Sequence, residues 1–456
     1  LRYDVTIVGC GPAGIFSALE LSKNKDLNIL MIDKGKDIEK RKCFDLSKGS
    51  CVSCIPCSLL CGWGGAGAFS DGKLTLTSEV GGWLSDYREK RELEKLVEEV
   101  DKYYVEFGAP SKVIGGEIEE IERLKKRANL YGVELIPYKV RHIGSENCKR
   151  VLARMKDFLS DKVEIMLDKE VKKVIVKEGK VQGIECGEKI DSRYVILAPG
   201  RGGASWLRSE AKKLGIRTQN NPVDIGVRLE TKAEVLQPLT QVLYDPKLVY
   251  HSKSFDDKVR TFCVAPHGVV VLESYQDVKT VNGESFANRK SENTNLALLV
   301  STQFTQPFKE PIAYGKYLAR LANMLSGDSV LVQRLVDLKS GRRSTKERLR
   351  RSIVKPTLSS AVPGDIAFAL PYRILGSIVE MIEKLDKLAP GIDSEHTLLY
   401  GVEVKFYSSR LDLSKELEVK NIKNLFAIGD GAGITRSLMQ ASISGIIAGR
   451  EILRRG

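Results

Sequence analysis

No apolar run in this chain approaches the roughly 20 residues that a bilayer-spanning helix needs, so no membrane span is expected. Internal repeats and low-complexity tracts are absent too, which argues against a solenoid or a disordered tail. Histidine is scarce. His142, His251, His267 and His396 stand far apart and without ligand spacing, so a histidine-built metal centre is not expected. No acid–base constellation stands out by its spacing. The net charge is +13, and residues 339–351 hold seven cations against one acid. Aromatics are sparse around that run and no RNA-binding motif accompanies it, so a solvated face is the plainer reading and nucleic acid is not an expected partner.

What the chain does have begins at once. Residues 3–8 (YDVTIV) form a short β-branched run that reads as a buried parallel strand. They lead into Gly9-Cys10-Gly11-Pro12-Ala13-Gly14, then a helical pattern, then a second strand that ends in Asp33, with Lys34 beside it. Strand, GxGxxG, helix, strand and acid make a dinucleotide-binding fingerprint in its required context. Gly9 permits the tight turn, Gly11 lets backbone approach a pyrophosphate, and Gly14 lets helix pack on strand. The helix's free N–H groups then face the phosphates. Asp33 is expected to accept from a ribose diol and to repel a 2′-phosphate. Because the first apolar run is already this strand, no signal peptide is expected. With nine cysteines, that points to a reducing compartment, the cytoplasm.

Near the other end, residues 424–433 (NLFAIGDGAG) are an apolar strand, a Gly-Asp step and a glycine turn, before a helix at about 437–454. This resembles the second flavin signature of FAD-dependent oxidoreductases with the glutathione-reductase-like fold. Residues 194–200 (YVILAPG) resemble that family's third element. The resemblance implies FAD as cofactor, with Asp430 on the ribityl chain and Gly200, Gly429, Gly433 and Ile434 around it. It also implies that the backbone of Val171 meets adenine. Residues 62–74 (GWGGAGAFSDGKL), 401–408 (GVEVKFYS) and 428–445 (IGDGAGITRSLMQASISG) resemble a group of uncharacterised FAD-dependent dehydrogenases. There Gly64, Gly65, Ala66 and Gly67 would run beside the flavin, and Trp63 would cover it or fill core. A more distant similarity is to geranylgeranyl reductases. No second GxGxxG lies between residues 100 and 400, so NAD(P)H is expected only as a transient donor. A ferredoxin-like protein is the other candidate donor.

Residues 51–61 read C-x2-C-x2-C-x3-C, the cysteine spacing of bacterial ferredoxins. Cys51, Cys54, Cys57 and Cys61 could hold an iron–sulfur cluster or zinc, with Cys43 as a substitute ligand. A redox dithiol and inert thiols are the alternatives.

The expected fold is α/β: a Rossmann-like FAD-binding domain with an inserted α+β substrate domain. The expected boundaries are 1–216 for the first cofactor part, which includes a helical insert at 83–130, then 217–395 for the substrate domain, and 396–456 for the last part. Residues 163–167, 171–176 and 181–185 are expected to form a small β-meander. Catalytic candidates are His267, Glu403, Lys405, Tyr407 and Arg436. Glu403, Lys405 and Tyr407 alternate and would share one strand face; Arg436 could hold an anion. The expected function is an FAD-dependent reductase or dehydrogenase acting on a small organic substrate. A flavin-dependent tRNA-modifying enzyme and a flavin/iron–sulfur electron carrier are the alternatives.

Overall fold

The computed structural model describes residues 2–43, 54–115, 117–275, 278–285, 290–305, 307–308 and 310–456. Two compact units emerge. Unit 1 comprises Leu1–Val113, Arg141–Asn221 and Tyr407–Gly456; unit 2 comprises Ile114–Val140 and Pro222–Phe406.

Unit 1 is built on β1 (Arg2–Val8), α1 (Pro12–Leu21), β2 (Ile29–Ile32), β3 (Glu164–Met166), β4 (Lys173–Lys177), β5 (Lys180–Glu185), β6 (Lys189–Leu197), β7 (Leu425–Ala427) and α2 (Leu438–Arg454). Strands β3, β2, β1, β6 and β7 run parallel in that spatial order. Strands β4 and β5 close the β6 side as an antiparallel meander. The chain moves from β1 outward through β2 to β3, then crosses to the other side of β1. A ligand crevice is expected where the strand order reverses, outside the carboxyl ends of β1 and β6. Val5, Ile7, Ile29–Ile32, Val195 and Ile196 are all buried, as a sheet covered on both faces requires.

The meander differs from expectation. Residues 164–166 pair in parallel with β2 rather than joining it. They follow the helix Ser145–Ser160, and a strand entered from a crossover helix lies parallel.

Helices α1 and α2 pack at very close range. A Cβ on Gly445 would lie 2.2 Å from the Ala13 carbonyl oxygen, and Ser17 Oγ donates to Gly445 O at 3.0 Å. Small residues thus fix this pair of helices.

Unit 2 carries an antiparallel sheet whose central strands are Leu398–Lys405, Val223–Lys232, Asn293–Thr302 and Lys258–Ala265. Alternation sorts its residues. Ile225, Val227, Leu229, Leu296, Leu298 and Val300 enter one apolar core with residues of the helix Tyr372–Leu385. Asp224, Arg228, Glu230, Asn293 and Asn295 alternate with them on the opposite face, and they too are buried.

The expected boundaries shift. Strand Glu134–Ile136 pairs with Lys247–His251, and Leu124 and Ala128 share the core of Leu135 and Leu248. Residues 114–140 therefore belong to unit 2, not to the cofactor part. The same holds for residues 396–406, because Leu398–Lys405 is an inner strand of that sheet. Among the described residues, no helix is long and apolar enough to cross a membrane.

Candidate functional site

At the carboxyl end of β1 the chain turns through Gly9, whose φ is +113°. A Cβ there would meet Ala198 O at 2.0 Å, and one on Gly14 would meet Gly9 O at 2.0 Å. Both glycines are therefore demanded by the protein's own packing. Gly11 is different. Its added Cβ would find its nearest neighbour, Gly65 Cα, at 3.8 Å. The space above Gly11 is left open by the fold.

That space belongs to a cleft of about 220 Å³ in unit 1. Its walls come from the ends of four parallel strands and the starts of two helices. Pro12 and Ala13 open α1; Ser437, Leu438 and Ala441 belong to the start of α2; Pro199 and Gly200 follow β6; Gly429 and Asp430 follow β7. Gly65, Ala66 and Gly67 form another wall. Ser437 caps α2 by accepting from the backbone N–H of Gln440 at 3.2 Å. Two helix N-termini facing one cleft give it a positive potential.

Asp33 lines the cleft, but its carboxylate is already busy. It accepts from the backbone N–H groups of Cys10 (2.9 Å), Gly35 (2.8 Å) and Gly62 (2.7 Å). A carboxylate offers about four lone-pair sites, so one remains. Asp33 ties the fingerprint turn to the glycine-rich segment, a role that spacing alone did not show. Asp430 also lines the cleft. Burial pushes its carboxyl up, against the pull of Arg201, the Thr435 hydroxyl and Arg436. Thr435 Oγ1 donates to it at 2.6 Å, and Arg201 Nε lies 3.6 Å away. Arg201, Lys73 and Asp71 were not singled out from sequence, yet all line the cleft. Lys73 pairs with Asp71 at 3.0 Å.

Residues 222–406 match the sequence model of a family described as "FAD-dependent protein, C-terminal domain-like". That span coincides with the longer segment of unit 2. An uncharacterised protein of Clostridium beijerinckii is 26% identical over 472 aligned positions, which cover 98% of this chain and 80% of that protein. Among solved structures, L-proline dehydrogenase from P. horikoshii aligns over 100% of this chain and 94% of that one, with 11% identity and a TM-score of 0.42. Glycine oxidase from Geobacillus kaustophilus aligns over 99% and 95%, with 13% identity and a TM-score of 0.39. A geranylgeranyl bacteriochlorophyll reductase-like protein from Thermoplasma acidophilum aligns over 99% and 78%, with 15% identity and a TM-score of 0.40.

The five catalytic candidates divide between the units: Tyr407 and Arg436 belong to unit 1, and His267, Glu403 and Lys405 to unit 2. Glu403 is fully buried and accepts from Arg228 through two bonds, at 2.8 and 3.0 Å. Lys405 bridges Glu403 (3.2 Å) and Glu273 (2.8 Å). These belong to the polar face of unit 2. Tyr407 lies beyond the strand end at Lys405 and in unit 1, so the expected shared face breaks there. His267 is exposed in a turn, with φ at +50° and its ring Nδ1 against Ser291 O at 3.1 Å. Arg436 alone of the five lines the cleft. Val171 is buried and does not line it. Lys34 Nζ donates to Gly202 O at 3.3 Å. Gly433 and Ile434 are buried and do not line the cleft, with Gly433 in a left-handed turn at φ +74°.

Trp63 fills core: it is fully buried, and its Nε1–H donates to Leu152 O at 2.7 Å. Cys51 lies outside the described residues. Cys54 and Cys57 are half-buried, and burial pushes the Cys61 thiol up to about 11. Among the described residues no group of three or more ligand side chains converges on a metal position. What organises this segment is Arg41, which no spacing rule flagged. Its buried guanidinium donates to the carbonyls of Ser58, Leu59, Trp63 and Gly65. One side chain thus gathers the cysteine segment and the glycine-rich wall.

The basic run is partly neutralised within unit 2. Lys339 pairs with Asp393 and Glu383, and Arg342 with Asp337. That fits a solvated, structurally anchored face.

Proposed function

We propose that this protein is an FAD-dependent oxidoreductase, with FAD held in the unit 1 cleft. The observation that carries the reading is the open cradle at Gly11. The fold forbids side chains at Gly9 and Gly14 for its own packing, and holds Gly65 close against the Gly11 Cα, yet it leaves open the gap that a Cβ on Gly11 would enter. That gap faces two helix N-termini, the arrangement a pyrophosphate needs. The name of the family matched by residues 222–406 supports the same cofactor.

In this reading Gly11, Pro12 and Ala13 receive the phosphates, and the remaining acceptor site of Asp33 serves a ribose hydroxyl. Asp430 orients a hydroxylated chain, held in place by the Thr435 hydroxyl. The start of α2 stabilises negative charge on the ring system. When bound, the flavin supplies hydride or electron transfer, and the protein supplies orientation and electrostatics. The substrate is a small organic molecule. No second fingerprint serves NAD(P)H, so the reductant is a transient donor.

Titration of FAD into flavin-free protein tests this. Saturable binding is expected, weakened at least tenfold in Asp430→Ala. Equal weak binding by both proteins would defeat the assignment.

A further inference from the structure

Cys54, Cys57 and Cys61 of unit 1 lie within one short stretch, yet their surroundings differ. The chain bends at Ile55 and Pro56. A turn then begins at Cys57, whose carbonyl accepts from the backbone N–H groups of Leu60 (3.2 Å) and Cys61 (2.9 Å). The Cys54 sulfur folds back onto that turn. It accepts from the Ser58 backbone N–H at 3.3 Å, and its S–H reaches Ser58 Oγ at 3.8 Å. Ser58 N is bonded to the Cys57 carbonyl carbon. The 3.3 Å contact plus two backbone bonds therefore puts the Cys54 sulfur within about 6 Å of the Cys57 Cα. Cys61 is placed otherwise. It is buried, and a Cβ on Gly202 would lie 3.0 Å from its sulfur.

Two physical points follow. Ile55 is 98% exposed and Pro56 is exposed beside it, while Cys54 and Cys57 are half-buried. A reagent in solvent therefore meets the bend that carries these two sulfurs before it meets Cys61. Second, the bend is held. Arg41 donates to the carbonyls of Ser58 and Leu59, so the turn that receives the Cys54 sulfur is anchored to the rest of the unit. A bent C-x-x-C on a fixed turn, with its first sulfur accepting an N–H, suits one thiol to attack and the second to resolve.

We propose that Cys54 and Cys57 form a redox dithiol that reduces an external disulfide, with Cys54 as the attacking thiol and Cys57 as the resolving one. The Cys54 sulfur bonds to one sulfur of the substrate disulfide, and the other leaves as a thiolate. The Cys57 sulfur then bonds to the Cys54 sulfur, and the second substrate sulfur leaves. Two electrons pass from the dithiol to the substrate. The two protons of the cysteine thiols end on the two product thiols, so no further reactant enters. This activity does not rest on the cofactor reading.

The experiment exposes the reduced full-length chain to oxidised glutathione and, separately, to insulin as a protein disulfide, without oxygen. Acid quenching, alkylation and peptide mass spectrometry then locate every sulfur. Wild-type protein is expected to lose two thiols per chain and to gain one disulfide, between Cys54 and Cys57. Cys57→Ser should trap a single glutathione on Cys54. Cys54→Ser should react at least tenfold more slowly than wild type. Reaction with either disulfide supports the dithiol, and the faster of the two shows whether small or protein disulfides are its substrates. No thiol loss with either, a disulfide that joins Cys54 to a cysteine other than Cys57, or trapping on Cys57 in Cys54→Ser at the wild-type rate would each overturn the inference. So would stoichiometric iron or zinc in the purified protein that is lost in Cys54→Ser. The wild-type measurement decides without any variant having to fold.

Discussion

In unit 1 the cleft is made chiefly of backbone: Gly11, Gly65, Gly67, Gly200 and Gly429 surround a space that two helix ends make positive. In unit 2 the polar sheet face is made of side chains matched in pairs, Arg228 with Glu403, Arg260 with Asp224 and Lys247 with Asp245. The first region leaves hydrogen-bonding capacity unspent; the second spends nearly all of it internally. Open capacity marks a place for a ligand, whereas buried charge that finds its own partner within the chain marks a place where the fold is specified.

The largest effect expected from breaking that contrast is at Glu403. Glu403→Leu leaves Arg228 charged, buried and unmatched, and should cost about 3–5 kcal/mol in urea denaturation. Adding Arg228→Met should recover most of the loss. A cost below about 1 kcal/mol for the single change would mean that Arg228 is solvated instead.

The next prediction uses two glycines of unit 1. Gly445→Ala drives a Cβ to 2.2 Å from a backbone oxygen and should cost about 3 kcal/mol, the upper range for overpacking. Gly11→Ala, with its nearest atom at 3.8 Å, should change the stability of flavin-free protein by less than about 0.5 kcal/mol. FAD affinity should nevertheless fall at least tenfold. Denaturation and FAD titration of both variants separate packing from binding.

Asp337 supplies a pH test in unit 2. Burial alone would raise its carboxyl, but hydrogen bonds from Arg334, Arg342 and Ser344 overcome this and hold it at about 2, below its ordinary 3.8. A depressed acid stabilises the fold above its unfolded pKa and loses that contribution as pH falls toward the folded value. About 2 kcal/mol should therefore disappear between pH 4 and pH 2. Asp337→Asn should flatten that part of the stability–pH curve.

The smallest effect is at the α2 cap. Ser437→Ala should lower stability by about 1 kcal/mol, seen as a modest shift in Tm.

How far the sequence could be read follows the same division. The roles of Gly9 and Gly14 depend on turns and contacts within a βαβ unit, so GxGxxG was enough to expect them. Asp33 was found by position, but its three backbone donors come partly from Gly62, which spacing does not bring near. Alternation placed Glu403 and Lys405 on one face correctly and failed at Tyr407, because the strand ends at Lys405. Arg41 and Arg228 were invisible. Each acts through partners brought close only by folding, and an isolated Arg carries no local pattern. The boundary at 114–140 was missed for a similar reason, since a three-residue strand that pairs with residues more than 100 positions away leaves no trace in periodicity.

The central claim is that unit 1 holds FAD. Its most direct test is the visible spectrum and flavin content of protein purified without oxygen and then saturated with FAD. Flavin absorption bands and stoichiometric FAD after gel filtration are the expected result. Protein that emerges colourless and flavin-free after saturation would contradict it.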